Sequence, residues 1–314
     1  LNLRCVFFGT SEFALPSLRV VADASEQSLV ITQPDRPAGR GRRIQPTPVR
    51  VEAERLGLAV LTPEHLVEVR EALAAHKADL FVVASYGKIL PRWALALPSG
   101  GALNVHPSLL PLYRGATPLQ AQLRDGVREG GVSIIVMDEG MDTGDLVLQE
   151  RSAISASENY GELHDRFAAL GAVLLSCAIR TLGTPTFTCT PQAAMGVAES
   201  EIVRTLTRPF AKEDLKIDWN ADPKAIVDLV RSFAPSPGAR AEIETPGGVE
   251  SVKILRARLP DDGENRDALL WPCGRPPQRG FVALELVVPP GRAPMSGAEF
   301  ARMLERRRVE DRVP

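Results

Sequence analysis

At 314 residues, with 44% hydrophobic and 24% charged side chains, the chain is long enough for two domains with separate cores. No run of about 18 apolar residues occurs, which excludes a membrane-spanning helix. A formal net charge of −2 argues against a protein that holds nucleic acid by bulk positive charge.

Residues 1–8 lack the basic start and long apolar run of a secretory signal, so they read as a first strand and the cytoplasm is the expected address. Short apolar runs at 4–8, 28–32, 59–61, 80–84, 102–105 and 132–137 predict strands. Helical spacing predicts helices at 13–22, 49–56, 64–76 and 118–124. Strands alternating with helices imply right-handed crossovers and a mostly parallel, Rossmann-like α/β sheet. The runs FVVA and SIIVM are apolar on both faces, as strands covered on both sides should be. Ligands of such sheets bind beyond the carboxyl ends of the strands. The loops starting at Gly9, Gln33, Ser85, His106 and Asp138 are therefore the candidates.

A longer amphipathic helix is predicted at 159–182, with Tyr160, Leu163, Phe167, Leu170, Val173, Leu174 and Cys177 as its core stripe. Residues 183–196, rich in Thr, Pro and Ala, read as a linker. A short helix at 223–232 and a turn-rich stretch at 234–240 follow. Alternating runs at 241–244, 252–257, 268–271 and 282–288 then predict a small antiparallel barrel, closed by a helix at 297–307. The expected division is a catalytic domain at 1–185, a linker at 186–203 and a second domain at 204–314. Cys5, Cys177, Cys189 and Cys273 show no C-x-x-C spacing and read as buried, reduced thiols.

Two stretches carry chemistry. Residues 102–118 read ALNVHPSLLPLYRGATP; period two puts Asn104 and His106 on one face of a strand that Pro107 stops. A pair that merely caps the strand fits this spacing as well. Residues 130–149 read GGVSIIVMDEGMDTGDLVLQ, a strand running into an acidic, Gly-rich loop. That loop also fits a solvated turn, but its spacing is not that of a calcium loop and no metal is expected. Asn, His and Asp together suit acyl transfer to an amine. The amide and a protonated imidazole stabilise the developing oxyanion, while a carboxylate orients the ring and favours its charged form.

N-x-H-x-S-L-L-P, then Y-R-G-A, then G-x-S-I-x-x-M-x-x-G-M-D-T-G-D, in this order and spacing, resemble the folate-dependent formyltransferases. The resemblance implies that Asn104, His106 and Asp142 are catalytic and that 10-formyltetrahydrofolate is the donor. It further implies a folate site at Tyr86, Gly87, Ile89 and Leu90, at Ser108, Leu109, Leu110 and Pro111, and at Asp138, Gly140 and Asp142.

The acceptor is read from TQPDRPAGRGRR at 32–43. Within residues 33–50, Arg36, Arg40, Arg42, Arg43 and Arg50 face only Asp35, and Gly39 and Gly41 allow the loop to move. A solvated basic loop is the plain reading, and guanidinium groups on phosphate and unpaired bases the functional one. Q-P-D-R-P-A-G-R-G resembles the loop by which the tRNA-acting members of the family enter the acceptor stem. This implies initiator methionyl-tRNA as partner, with contacts from Arg36, Arg40, Arg42 and Arg43. F-x-G-T-x-x-F (7–13), A-x-Y-G-K-I-L-P (84–91), I-D-W (217–219) and P-M-S-G-A-E-F (294–300) extend the resemblance over nearly the whole chain. It also implies an OB-like second domain that contacts tRNA, and a monomer. The chain departs from the tRNA-acting pattern at Pro107, usually Gly or Ala, in lacking T-Y-A-P-K within 195–210, and in lacking Trp within 234–238.

Three rivals share parts of this pattern. A sugar-nucleotide formyltransferase has no need of so many arginines in that loop. A glycinamide ribonucleotide formyltransferase leaves about a hundred residues unexplained, taking the usual single-domain length as the yardstick. An RNA-binding module has no use for the triplet. A dinucleotide-binding dehydrogenase is excluded, because GTSEF at 9–13 has one Gly where G-x-G-x-x-G needs three.

Overall fold

The computed structural model describes residues 3–38, 41, 43–245, 248–260, 267–276 and 279–310. In chain order the elements are β1 (Leu3–Gly9), α1 (Leu15–Ala24), β2 (Ser25–Ile31), β3 (Arg36–Ala38), β4 (Arg43–Gln45), α2 (Pro48–Arg55), β5 (Ala59–Leu61) and α3 (Arg70–His76). Next come β6 (Leu80–Ala84), α4 (Arg92–Leu95), β7 (Ala102–His106), α5 (Pro118–Arg124), β8 (Glu129–Val136), β9 (Leu146–Ala153), α6 (Tyr160–Thr181) and α7 (Glu199–Arg204). The chain continues with α8 (Pro223–Phe233), β10 (Ala239–Thr245), β11 (Gly248–Arg258), β12 (Leu269–Cys273), β13 (Gly280–Val288), β14 (Met295–Ser296) and α9 (Gly297–Glu310). Its contacts fall into two units. One comprises Leu1–Pro118, Glu129–Ala153 and His164–Thr207; the other comprises Leu119–Arg128, Ile154–Leu163 and Arg208–Pro314.

In the first unit a seven-stranded sheet runs β5-β2-β1-β6-β7-β8-β9. The pairings from β5 through to β7 are parallel, as the strand–helix alternation predicts. β8 and β9 then turn antiparallel at the edge. Every residue of β6 and β7 is buried. Burying large side chains such as Phe7, Phe8 and Phe81 contributes on the order of 1.5–3 kcal/mol each. That offsets the cost of carrying Asn104 and His106 inside β7.

Several sequence readings are corrected here. The helix stripe of α6 is Leu163, Phe167, Ala168, Ala172, Leu175, Ala178 and Ile179, whereas Val173 is 60% exposed. Small residues carry the packed face: a Cβ on Gly171 would stand 2.5 Å from Val105 Cγ1. Cys5 and Cys273 are buried as expected, but Cys177 is half-buried and Cys189 exposed. All four are free thiols.

The helix α2 starts at Thr47, whose hydroxyl accepts from Arg50 N at 3.1 Å, followed by Pro48 in the first turn. On its inner side Glu52 accepts from Arg55 Nε at 2.8 Å and Arg19 Nε at 2.6 Å. Hydrogen bonds from Arg55, then from Arg19, hold the Glu52 carboxyl down to about 2 from its ordinary 4.5. A depressed carboxyl contributes stability that is complete above the ordinary value and is lost as pH falls toward 2. Glu52→Gln should therefore flatten the dependence of the thermal midpoint on pH between 4.5 and 2. An unchanged slope in that window would contradict the assignment.

The second unit holds a five-stranded antiparallel, OB-like sheet in the order β10-β11-β13-β12, with β14 on β13. Its core joins Ile226 and Val230 of α8 and Phe300 of α9 to Ala241, Ile243, Val252, Ile254, Val282 and Leu284 of the sheet. Asp222 caps α8 by accepting from Lys224 N at 2.8 Å. The buried ion Arg231 is fully engaged. Nε donates to Asp228 Oδ1 at 2.8 Å, and the other nitrogens donate to the carbonyls of Ser155, Glu158 and Leu123.

Candidate active site

β7 carries Asn104 and His106 on one face, 9% and 4% exposed. His106 Nε2 lies 2.9 Å from the carbonyl oxygen of Tyr113. A carbonyl only accepts, so Nε2 bears the hydrogen and donates it. Nδ1 faces Asp142 Oδ2 at 3.6 Å. Asn104 Nδ2 donates to Asp142 Oδ1 at 3.1 Å, which leaves its second hydrogen for another acceptor. The three side chains picked from sequence thus meet in one cluster.

Asp142 does not arrive by the route that parallel strands suggest. The register Leu103↔Val136 and His106↔Ser133 sets the carboxyl end of β8 beside the amino end of β7. The loop 137–145 reaches Asn104 and His106 only by folding back over the sheet. Asp138 organises this return, its Oδ1 accepting from Gly140 N at 3.0 Å and from Thr143 Oγ1 at 2.7 Å. Gly144 is required, since a Cβ there would stand 1.8 Å from Val136 O. Asp142 itself sits at φ 54, a left-handed conformation that Asp tolerates better than most residues. Its Oδ2 accepts from Gly115 N at 2.8 Å, so the Y-R-G-A loop also bears on the carboxylate.

Two further groups were invisible in the sequence. Gln192, in a stretch that reads as a linker, donates from Nε2 to the carbonyls of Asp142 and Gly144, both at 2.8 Å. Ser133 and Gln149 support the 108–111 segment: Ser133 Oγ donates to Ser108 O, and Gln149 Nε2 donates to Leu110 O at 2.9 Å. Ser108 spends its own hydroxyl on Leu112 O. Ser108, Leu110 and Pro111 are buried and Leu109 is half-buried. Of these four residues only Leu109 is partly accessible.

The loop after β6 is anchored through the carbonyl of Tyr86, which accepts from Thr10 Oγ1 at 2.9 Å and Gln33 Nε2 at 2.8 Å. The Tyr86 ring is buried with its edge toward Phe8. Burial pushes its phenol up to about 12. Gly87 at φ 76 lets Gln33 approach, because a Cβ would stand 2.7 Å from Gln33 Nε2. Leu90 is buried, whereas Ile89 is 83% exposed, and Met141 on the facing loop is 54% exposed. Arg92 Nε and Glu139 Oε1, 3.1 Å apart, tie these two loops together. Beside them a groove of about 680 Å³ runs between Arg36, His65, Val67, Lys88, Ile89 and Trp93. Its lining includes none of the triplet.

The flanks of the Arg-rich segment are extended and paired. β3 and β4 pair antiparallel, with Pro37 opposite Ile44, and Ile44 is 73% exposed. Carboxylates from outside the segment reach two of its arginines. Arg36 pairs with Glu64 at 2.7 Å, and Arg50 with both Asp35 and Glu54 at 2.8 Å. Arg43 is exposed and, among the described residues, meets no carboxylate. Arg40 and Arg42 lie outside the described residues.

Comparison with known proteins gives the family of the chain. Residues 3–179 match the formyl transferase family and residues 209–304 match the formyl transferase C-terminal domain. A methionyl-tRNA formyltransferase of Methylobacterium sp. (strain 4-46) is 40% identical over 306 residues, covering 96% of each chain. That of Methylibium petroleiphilum is 42% identical over 268 residues, covering 82% of each. The N-formyltransferase of Helicobacter canadensis, solved with folinic acid and dTDP-3-aminofucose, shares the fold. It has a TM-score of 0.64 and 17% identity over 90% of this chain and 99% of its own. HypX of Aquifex aeolicus, solved with tetrahydrofolic acid, has a TM-score of 0.59 and 17% identity over 96% of this chain and 47% of its own. The chain belongs to the formyl transferase family and, within it, to the methionyl-tRNA formyltransferases.

Proposed function

We propose that this chain moves the formyl group of 10-formyltetrahydrofolate onto the α-amino group of initiator methionyl-tRNA, as a monomer in the cytoplasm. The observation that carries the reading is the meeting of Asn104, His106 and Asp142 around one carboxylate. The donor is assigned to the space between the loops 85–91 and 138–142. Backbone N–H and carbonyl groups suit a pterin there, and exposed Ile89 and Met141 offer apolar contact. In the reaction the amine nitrogen bonds to the formyl carbon, the bond from that carbon to N10 breaks, the amine loses a proton and N10 gains one.

Asn104 offers its free N–H to the charge that develops on the formyl oxygen, and His106 protonated at Nδ1 offers a second donor. Asp142 holds both donors and helps relay the proton that the amine gives up to the leaving N10. An α-amino group with an ordinary pKa near ~7.7–8.0 needs little further activation. Residues 1–185 supply this chemistry, 204–314 contact tRNA through the OB-like sheet, and 186–203 join them.

The acceptor is tested by supplying 10-formyltetrahydrofolate with either methionyl-tRNA or an amino-sugar nucleotide. Formylation of the tRNA is expected; turnover of the sugar alone would replace this reading with the sugar enzyme. Arg40→Ala and Arg43→Ala should each weaken tRNA binding and reduce the slope of log affinity against log salt by about 1. Arg36→Ala should do less, because Glu64 already shares that charge. Equal salt slopes for all three variants and the parent would show that the hairpin does not touch RNA.

A further inference from the structure

Gln192 opens a short 3-10 helix, Gln192–Met195, and is 5% exposed. Its amide uses every hydrogen-bonding capacity it has. Nε2 donates to Asp142 O and Gly144 O, both at 2.8 Å. Oε1 accepts from Arg114 Nη2 at 2.7 Å and Arg114 Nε at 3.1 Å. One side chain thereby fastens the loop that presents the Asp142 carboxylate to the loop that presents Gly115 N–H and the Tyr113 carbonyl. These are the groups that engage Asp142 and His106.

The backbone around Gln192 is held on both sides. Thr190 and Leu146 exchange N–H···O bonds at 2.8 and 2.9 Å. Downstream, Thr205 Oγ1 accepts from Tyr113 N at 3.3 Å, and Thr207 Oγ1 donates to Arg114 O at 3.0 Å and accepts from Thr117 N at 3.2 Å. A Cβ on Gly115 would stand 2.2 Å from Thr207 O, so the strap at 205–207 lies directly on the Y-R-G-A loop. Asp142 at φ 54 is a conformation that a non-glycine residue keeps when its surroundings hold it there.

We propose that Gln192 is a positioning residue for formyl transfer: by holding the Asp142 and Gly144 carbonyls, it fixes the left-handed turn that aims the Asp142 carboxylate at Asn104 and His106. The inference rests on the assignment of Asp142 to the reacting groups. An amide is required at this site. Glu keeps the Arg114 contact but turns acceptor oxygens on two carbonyls, and Met fills the volume without making any of the bonds.

The test is steady-state formylation of methionyl-tRNA by full-length Gln192→Met and Gln192→Glu, with thermal melts, and by the same changes in an Asp142→Asn background. Expected is a fall of about 10–100-fold in kcat for both variants, with KM for methionyl-tRNA within about twofold of the parent. No further fall is expected when either change is added to Asp142→Asn. Activity within about twofold of the parent in both variants would overturn the inference. So would an equal fall in both backgrounds, or a loss that follows melting, since a purely structural role gives those results. Parental activity in Asp142→Asn alone would instead overturn the assignment of Asp142, and the inference with it.

Discussion

Asp142→Ala is expected to lower kcat/KM for methionyl-tRNA by about 10³–10⁴-fold while the chain still melts cooperatively. The carboxylate receives Asn104 Nδ2, Gly115 N and the face of His106 Nδ1 within one cluster. Its removal releases the amide, removes the counter-charge from a protonated ring and leaves Gly115 N–H without its acceptor. Each of these places a donor away from where charge develops, and loss of a single donor costs roughly 10²–10³ in comparable acyl transfers. Stability should suffer less. The side chain is 16% exposed, so water can reach the groups it leaves, and each net hydrogen bond is worth about 0.5–1.5 kcal/mol. Rapid-quench assays and a thermal melt on the same sample check both statements. A rate within tenfold of the parent would remove Asp142 from the chemistry.

Asn104→Leu carries the second large effect, a fall of about 10²–10³-fold in kcat. Leu keeps the four-atom, γ-branched shape of Asn with somewhat more bulk, so β7 should keep its register with β6 and β8. What disappears is the N–H available to the formyl oxygen, together with the bond to Asp142 Oδ1. Asn104→Asp should be worse than Asn104→Leu, because two carboxyl groups would then face each other at about 3 Å and one must take up a proton or move away. If kcat is preserved in Asn104→Leu, the amide is a structural partner of Asp142 and His106 alone stabilises the oxyanion.

The first unit's sheet was readable because its strands are short apolar runs between turn signals, and Asn104 and His106 followed from period two within one of them. The direction of β8 was not readable, because a run apolar on both faces looks the same whichever way it points. β9 escaped notice because its middle, Gln149–Glu150–Arg151–Ser152, is polar, and it lies on the sheet's edge half in solvent. Hydrophobicity alone points to Val173 and Leu174 in the core stripe of α6, but size decides it. The close approach of the helix to β7 selects Ala and Gly instead.

Asn104 and His106 are legible from their spacing in one strand, whereas Asp142 meets Asn104 across 38 residues and is legible only through the family resemblance. Gln192 has no such signal: it acts across 50 residues on Asp142 and 78 on Arg114, from a segment whose composition suggests a linker. The charge of the Arg-rich hairpin was overstated for the same reason. Glu54 and Glu64 lie beyond the segment in sequence and beside it in space.

Direct attack of the amine on the donor is tested most simply with formyl-labelled 10-formyltetrahydrofolate, acid-quenched with the protein before and after methionyl-tRNA is added. The account predicts no label on the protein at any time, and label on the methionyl amine appearing as fast as tetrahydrofolate is released. Label bound to the protein before the tRNA arrives, and passed on afterwards, would mean that a side chain carries the formyl group and that the triplet does a different job.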